Sequence, residues 1–82
     1  MNIKVYSTST CPYCTMTKNF LKENNFVFED VDVATNHDEA HIMVEKSGQM
    51  GVPVTIIESD GKEEVIVGFD QTRLAQILKI NQ

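Results

Sequence analysis

Cys11 and Cys14 are the only cysteines in this chain, and two residues separate them. A pair this close can open and close as a disulfide, hold a metal ion, or sit reduced in a core. It has little use as a staple, because closing so short a loop removes little chain entropy. Pro12 suits the first position of a helix, where its missing N–H would have gone unpaired anyway. Cys11 is then the N-cap, with its sulfur over the unpaired N–H groups of Tyr13 and Cys14 at the positive end of the helix dipole. Those groups favour thiolate over thiol, and the thiolate is the species that attacks a disulfide. Cys14, one helical turn further in, is expected to be more buried and to be held more firmly as a thiol. It is also near enough to attack a mixed disulfide formed on Cys11. The expected division of labour is Cys11 as nucleophile and Cys14 as resolving thiol. Pro12 and Tyr13 shape the active-site loop and set the environment of the two sulfurs.

The metal alternative uses His37 and His41, since Cys-x2-Cys followed by His-x3-His is a zinc-like order. The 22 residues of 15–36 between the two pairs far exceed the spacing of a compact finger. They also carry most of a helix and a strand, which would hold the pairs on different elements. An iron–sulfur cluster is the other metal reading, and the stiffness Pro12 gives the loop weighs against it. No metal ligand is assigned. A second motif, Gly51-Val52-Pro53-Val54, puts a proline at the opening of a strand. An ordinary trans bond suffices there, whereas a cis bond would bring the Val52 backbone up against the dithiol.

The elements that must position these residues follow from periodicity and punctuation. Ile3 to Tyr6 alternates and reads as a strand, and Ser7 to Thr10 as a loop. A helix follows from Cys11 or Pro12, with Met16, Phe20 and Leu21 on its core face and Asn24-Asn25 at its end. Phe26 to Val33 is a second strand. Thr35 or Asn36 caps a helix over about His37 to Ser47, with a stripe of Ala40, Met43 and Val44 and with Gly48 as terminator. Val52 to Glu58 and Glu63 to Val67 form a hairpin through Ser59-Asp60-Gly61-Lys62. Gly68 breaks the pattern, and Asp70 caps a last helix with Leu74, Ile77 and Leu78 inward. The order β-α-β-α-β-β-α predicts an α/β fold with a four-stranded mixed sheet and helices on both faces.

Length and charge bound the function. The 82 residues make one domain, residues 1–82, with no repeats or linkers. A net charge of −5 disfavours nucleic acid and anionic membrane as partners. Residues 1–22 nonetheless hold Lys4, Lys18 and Lys22 and no carboxylate, so the cysteine-bearing end is basic within an acidic chain. Lys18 and Lys22 are expected to be solvated, adding little to the chemistry of the sulfurs. The N-terminus lacks the apolar stretch of a signal peptide, and no run reaches the length of a membrane span. A dithiol in such a chain points to the cytoplasm and to catalysis, and nothing calls for more than a monomer.

Together these residues resemble the glutaredoxin family over essentially the whole chain. Cys11-Pro12-Tyr13-Cys14 has the form of that family's dithiol site. Ser47-Gly48-Gln49-Met50-Gly51-Val52-Pro53 looks like its approach to a cis-proline, and Gly68-Phe69-Asp70 stands where it has Gly-Gly-Asp. The resemblance implies a thioredoxin-like fold and a dithiol–disulfide oxidoreductase with no tightly bound cofactor. Its substrates would be protein disulfides or glutathione mixed disulfides. Tyr13 would flank a glutathione groove that also includes Pro53, Gly68 and Phe69. Val52 would offer its backbone N–H and C=O to the tripeptide, and Asp70 would meet the glutamyl ammonium. Three positions depart from the pattern: Thr8 replaces a lysine, Gly51 a threonine, and Phe69 the second glycine, where its bulk would narrow the groove. Gly68-Phe69 looks more like the NrdH-type redoxins, which are reduced by thioredoxin reductase and supply ribonucleotide reductase.

Overall fold

The computed structural model describes residues 2–79. Its elements, in chain order, are β1 (Asn2–Ser7), α1 (Pro12–Glu23), β2 (Glu29–Asp32), α2 (His37–Ser47), β3 (Val54–Ser59), β4 (Lys62–Val67) and α3 (Gln71–Leu78). The four strands form one sheet in the order β2-β1-β3-β4. β1 pairs with β2 in parallel, while β1–β3 and β3–β4 are antiparallel.

Because side chains alternate across a strand, β1, β3 and β4 each feed two cores, while β2 adds Val31 to one of them. Ile3 and Val5 of β1, Ile57 of β3 and Ile66 of β4 meet Phe20 and Leu21 of α1 and Leu74, Ala75 and Leu78 of α3. On the other face Tyr6, Val31, Val54 and Ile56 pack against Met43 of α2. Helices therefore cover both faces. Asp60 and Gly61, at φ 53° and 77°, make the two-residue turn that Asp-Gly favours between twisted strands.

Several local expectations shift. The second strand begins at Glu29 rather than Phe26, because the preceding residues finish α1. Asn25 turns left-handed at φ 62°, its N–H bonds Lys22 O, and the Phe26 N–H reaches back to Leu21 O. That is a Schellman closure, which spends the amide a strand would need. Phe26 and Phe28 still pack against the α1/α3 core. Met16 is exposed, and Thr17 takes its place in the stripe with Cys14, Phe20 and Leu21. Thr17 is tolerated inside because its hydroxyl donates to Tyr13 O at 3.0 Å. In α3, Ala75 is buried and Ile77 only partly so, and in α2 only Met43 is fully inside. β3 starts at Val54, after the proline, and β4 already at Lys62.

Candidate functional site

The dithiol stands where β1 hands the chain to α1. Cys11 is the N-cap of α1 with an extended backbone, φ −98° and ψ 111°, and Pro12 begins the helix. The Cys14 N–H donates to Cys11 Sγ at 3.2 Å. The sulfur thus takes the place of the usual cap oxygen and accepts the bond that holds the helix start. On its other side the Cys11 thiol faces Val52 O at 3.8 Å. The Val52–Pro53 bond is cis, and Pro53 is fully buried.

Cys14 is completely buried, whereas Cys11 keeps partial access. Burial pushes the Cys14 thiol up to about 11, and its hydrogen bond with Cys11 adds to that. A backbone hydrogen bond from Thr8 and the charge of Lys18 pull in the opposite direction. The two cysteines, both free thiols, therefore differ: Cys11 is partly reachable and caps the helix, whereas Cys14 is shielded and held as a thiol.

The third segment is tied on through backbone. Gly68, at φ 75°, donates its N–H to Pro53 O at 2.8 Å, which brings Gly68-Phe69-Asp70 next to the proline loop. The Phe69 ring turns inward and meets Phe20 edge-on, with centroids 6.1 Å apart, so much of its bulk joins the α1/α3 core. Asp70 caps α3, accepting from the Arg73 N–H at 3.0 Å. Tyr13 projects outward at 61% exposure and Met50 at 82%. The structure thus gathers Cys11, Cys14, Val52, Pro53 and Gly68 around one point, with Tyr13 on the surface beside them.

Segments 7–17, 47–57 and 65–69, which converge here, carry no charged side chain. The basic character of the first 22 residues does not survive folding either. Lys18 pairs with Asp30 at 3.0 Å, and Lys4 lies 3.6 Å from Glu29 and 3.4 Å from Glu39. The acids that neutralise the N-terminal end arrive from β2 and α2. Lys18 is therefore not the solvated lysine its sequence context suggests, and Asp30 has a partner that its own strand does not announce. The signal was half present, since Lys18 lies four residues beyond Cys14 on the same helix. The other half required β2 to be laid beside β1.

His37 and His41 sit on α2, across the sheet from the α1 helix that carries the cysteines. Among the described residues no group of three or more His, Cys, Asp or Glu side chains is arranged to hold a metal ion. Nor is any helix among them long and apolar enough to cross a membrane.

Known proteins share this arrangement. A glutaredoxin-like 8.6 kDa protein of the rubredoxin operon of Clostridium pasteurianum is 44% identical over 77 residues, covering 94% of this chain and 97% of its own. The crystal structure of the thioredoxin-like protein BC3987, in a mutant form, superposes with a TM-score of 0.86 at 34% identity, over 98% of this chain and 97% of that one. The structure of the glutaredoxin-like NrdH-redoxin from Escherichia coli superposes with a TM-score of 0.71 at 26% identity, over 100% and 97%. The glutaredoxin family profile matches residues 3–62, which span the capped dithiol, the cis-proline loop and the first three strands. With a thioredoxin-like sheet, a cysteine-capped helix and relatives of this kind, the chain belongs to the glutaredoxin family.

Proposed function

We propose that this redoxin reduces disulfides, in protein substrates or in mixed disulfides with glutathione, by two successive exchanges. The Cys11 thiolate attacks one sulfur of the substrate disulfide, forms a mixed disulfide and releases the other sulfur as a thiol. Cys14 then gives up its proton and attacks Cys11 Sγ. The Cys11–Cys14 disulfide forms and the second substrate thiol leaves, so two electrons have passed to the substrate. A reductase or a small thiol returns them. The observation that carries this proposal is the Cys14 N–H bond to Cys11 Sγ at 3.2 Å, with Cys14 itself wholly buried behind it.

Replacement of each cysteine tests it. Cys11→Ser should abolish reduction of a protein disulfide such as insulin. Cys14→Ser should also stop that dithiol reaction, yet retain exchange with a glutathione mixed disulfide. Full activity in Cys11→Ser would refute the assignment of the nucleophile.

A second reading concerns the electron source, and the absence of charged side chains from segments 7–17, 47–57 and 65–69 favours thioredoxin reductase over glutathione. Glutathione brings two carboxylates and one ammonium. Asp70 offers an acceptor for the ammonium, although one of its oxygens already caps α3. For the carboxylates, the three converging segments supply neither lysine nor arginine. The Escherichia coli NrdH-redoxin is described as a glutaredoxin-like protein with a thioredoxin-like activity profile, and by that analogy ribonucleotide reductase is a candidate electron acceptor in the cytoplasm. The assay is direct. The oxidised protein should be reduced rapidly by NADPH with thioredoxin reductase and slowly by glutathione with its reductase. The reverse order would return glutathione to the leading place.

A further inference from the structure

The resolving step asks Cys14 to become a thiolate in a place that resists it. Its side chain is fully buried, and burial penalises the charged form. The side chains that bear most on Cys14 are Cys11 at the helix start, which favours the thiol, and Lys18 on its own helix, whose charge favours the thiolate. β2 contributes Asp30, which is bonded to Lys18 and also feels Lys22. On the sheet face that α1 covers, β3 presents Ile57 and α3 presents Leu74, Ala75 and Leu78, none of them charged. Lys18 is therefore the nearby cation that is fixed in place.

It is fixed unusually well. Residues four apart on a helix are neighbours, with about 5–6 Å between their Cβ atoms. The Lys18 side chain is only 21% exposed, and its ammonium lies 3.0 Å from Asp30 Oδ2. Asp30 is itself anchored, because the buried Ser7 hydroxyl donates to its other oxygen at 2.7 Å. Burial alone would raise the Asp30 carboxyl, but hydrogen bonds from Ser7 and Lys18 outweigh it and hold the group below the usual carboxylate range. The carboxylate stays charged, and the ammonium stays put.

We propose that Lys18, held by Asp30 and Ser7, is a positioning residue for the resolving step, its charge stabilising the Cys14 thiolate as that thiolate forms to attack the mixed disulfide on Cys11. The proposal rests on the two-step exchange above, and its test keeps the two apart. Reduced protein is mixed with 5,5′-dithiobis(2-nitrobenzoic acid) in stopped flow, from about pH 6 to about pH 10. The first equivalent of thionitrobenzoate reports attack by Cys11, and the second reports resolution by Cys14.

In Lys18→Met the second phase should slow by about threefold to tenfold at neutral pH, the size expected for one nearby charge. Its pH profile should move to higher pH, and the first phase should slow less. Lys18→Arg should restore the second phase. Lys18→Met combined with Asp30→Asn should remain slow, since the missing charge is that of Lys18. An unchanged second phase in Lys18→Met, equal slowing of both phases, failure of arginine to rescue, or recovery in the double variant would each overturn the proposal. If the unaltered protein releases no second equivalent, the two-step exchange itself fails.

Discussion

The dithiol edge and the face covered by α2 are built on opposite plans. Around Cys11 the converging segments hold no charge, and Tyr13 and Met50 stand in solvent. On the α2 face, polar groups are paired with one another. The buried Tyr6 hydroxyl donates to Glu39 Oε2 at 3.0 Å, Lys4 reaches the other oxygen of Glu39, and Lys46 meets Glu63 at 2.6 Å. One region spends its chemistry on holding the fold together. The other leaves Tyr13, Met50 and a partly accessible sulfur at the surface. Stability and reactivity are thus kept in separate places, and substitutions should expose the separation.

The largest effect is expected in the α1/α3 core. Leu21 is fully buried beneath the helix that carries both cysteines. Leu21→Ala should cost about 2–5 kcal/mol of stability, from lost transfer energy and the cavity left behind. Denaturant unfolding measures it, and a loss under about 1 kcal/mol would mean the core relaxes far more than its packing indicates.

A middling effect is expected at Tyr6. Burial first, and the bond to Glu39 second, push its hydroxyl up to about 12. A group raised above its unfolded value near 10 stabilises fully below that value, and the contribution is lost as pH rises through about 12. Cys14, pushed up to about 11, adds to the alkaline loss over a lower range. Tyr6→Phe should cost about 1–2 kcal/mol at neutral pH, and its stability should fall less steeply above about pH 10. An identical alkaline slope in the two proteins would show that the hydroxyl is not protected.

The smallest effect is expected at the dithiol edge. Met50→Ser removes an exposed apolar group and should leave stability within about 0.5 kcal/mol. A loss larger than about 1 kcal/mol would blur the division between the two regions.

Much of the architecture was legible because it is written in local signals. Cys11-Pro12, Asn36 and Asp70 are caps, each recognisable from its residue type and from the helical pattern after it. Asp60-Gly61 and Gly48 are turn and terminator through their left-handed backbones. Where sequence and structure part, something distant or backbone-specific decided the matter. Met16 is the better apolar residue, but Thr17 goes inside because a carbonyl four residues back accepts its hydroxyl. The second strand starts late because the α1 closure claims the Phe26 amide. Lys18 and Asp30 meet across two elements, and no periodicity in either segment announces that. In the site the cysteines were legible outright, whereas the inward turn of Phe69 onto Phe20 was not.

The hydrogen bond from Gly68 to Pro53 has a consequence for how chemistry and folding are coupled. Cys11 and Cys14 meet by local helix formation, but Val52 lies 41 residues beyond Cys11, and Gly68 joins only after the β3–β4 hairpin has closed. The cysteines can therefore come together in a fragment, while the complete centre exists only in the finished sheet. The Gly68 amide is a gauge of that completion. Its exchange with deuterium reports whether the joint between hairpin and proline loop is shut, at a point where neither sulfur needs to be labelled.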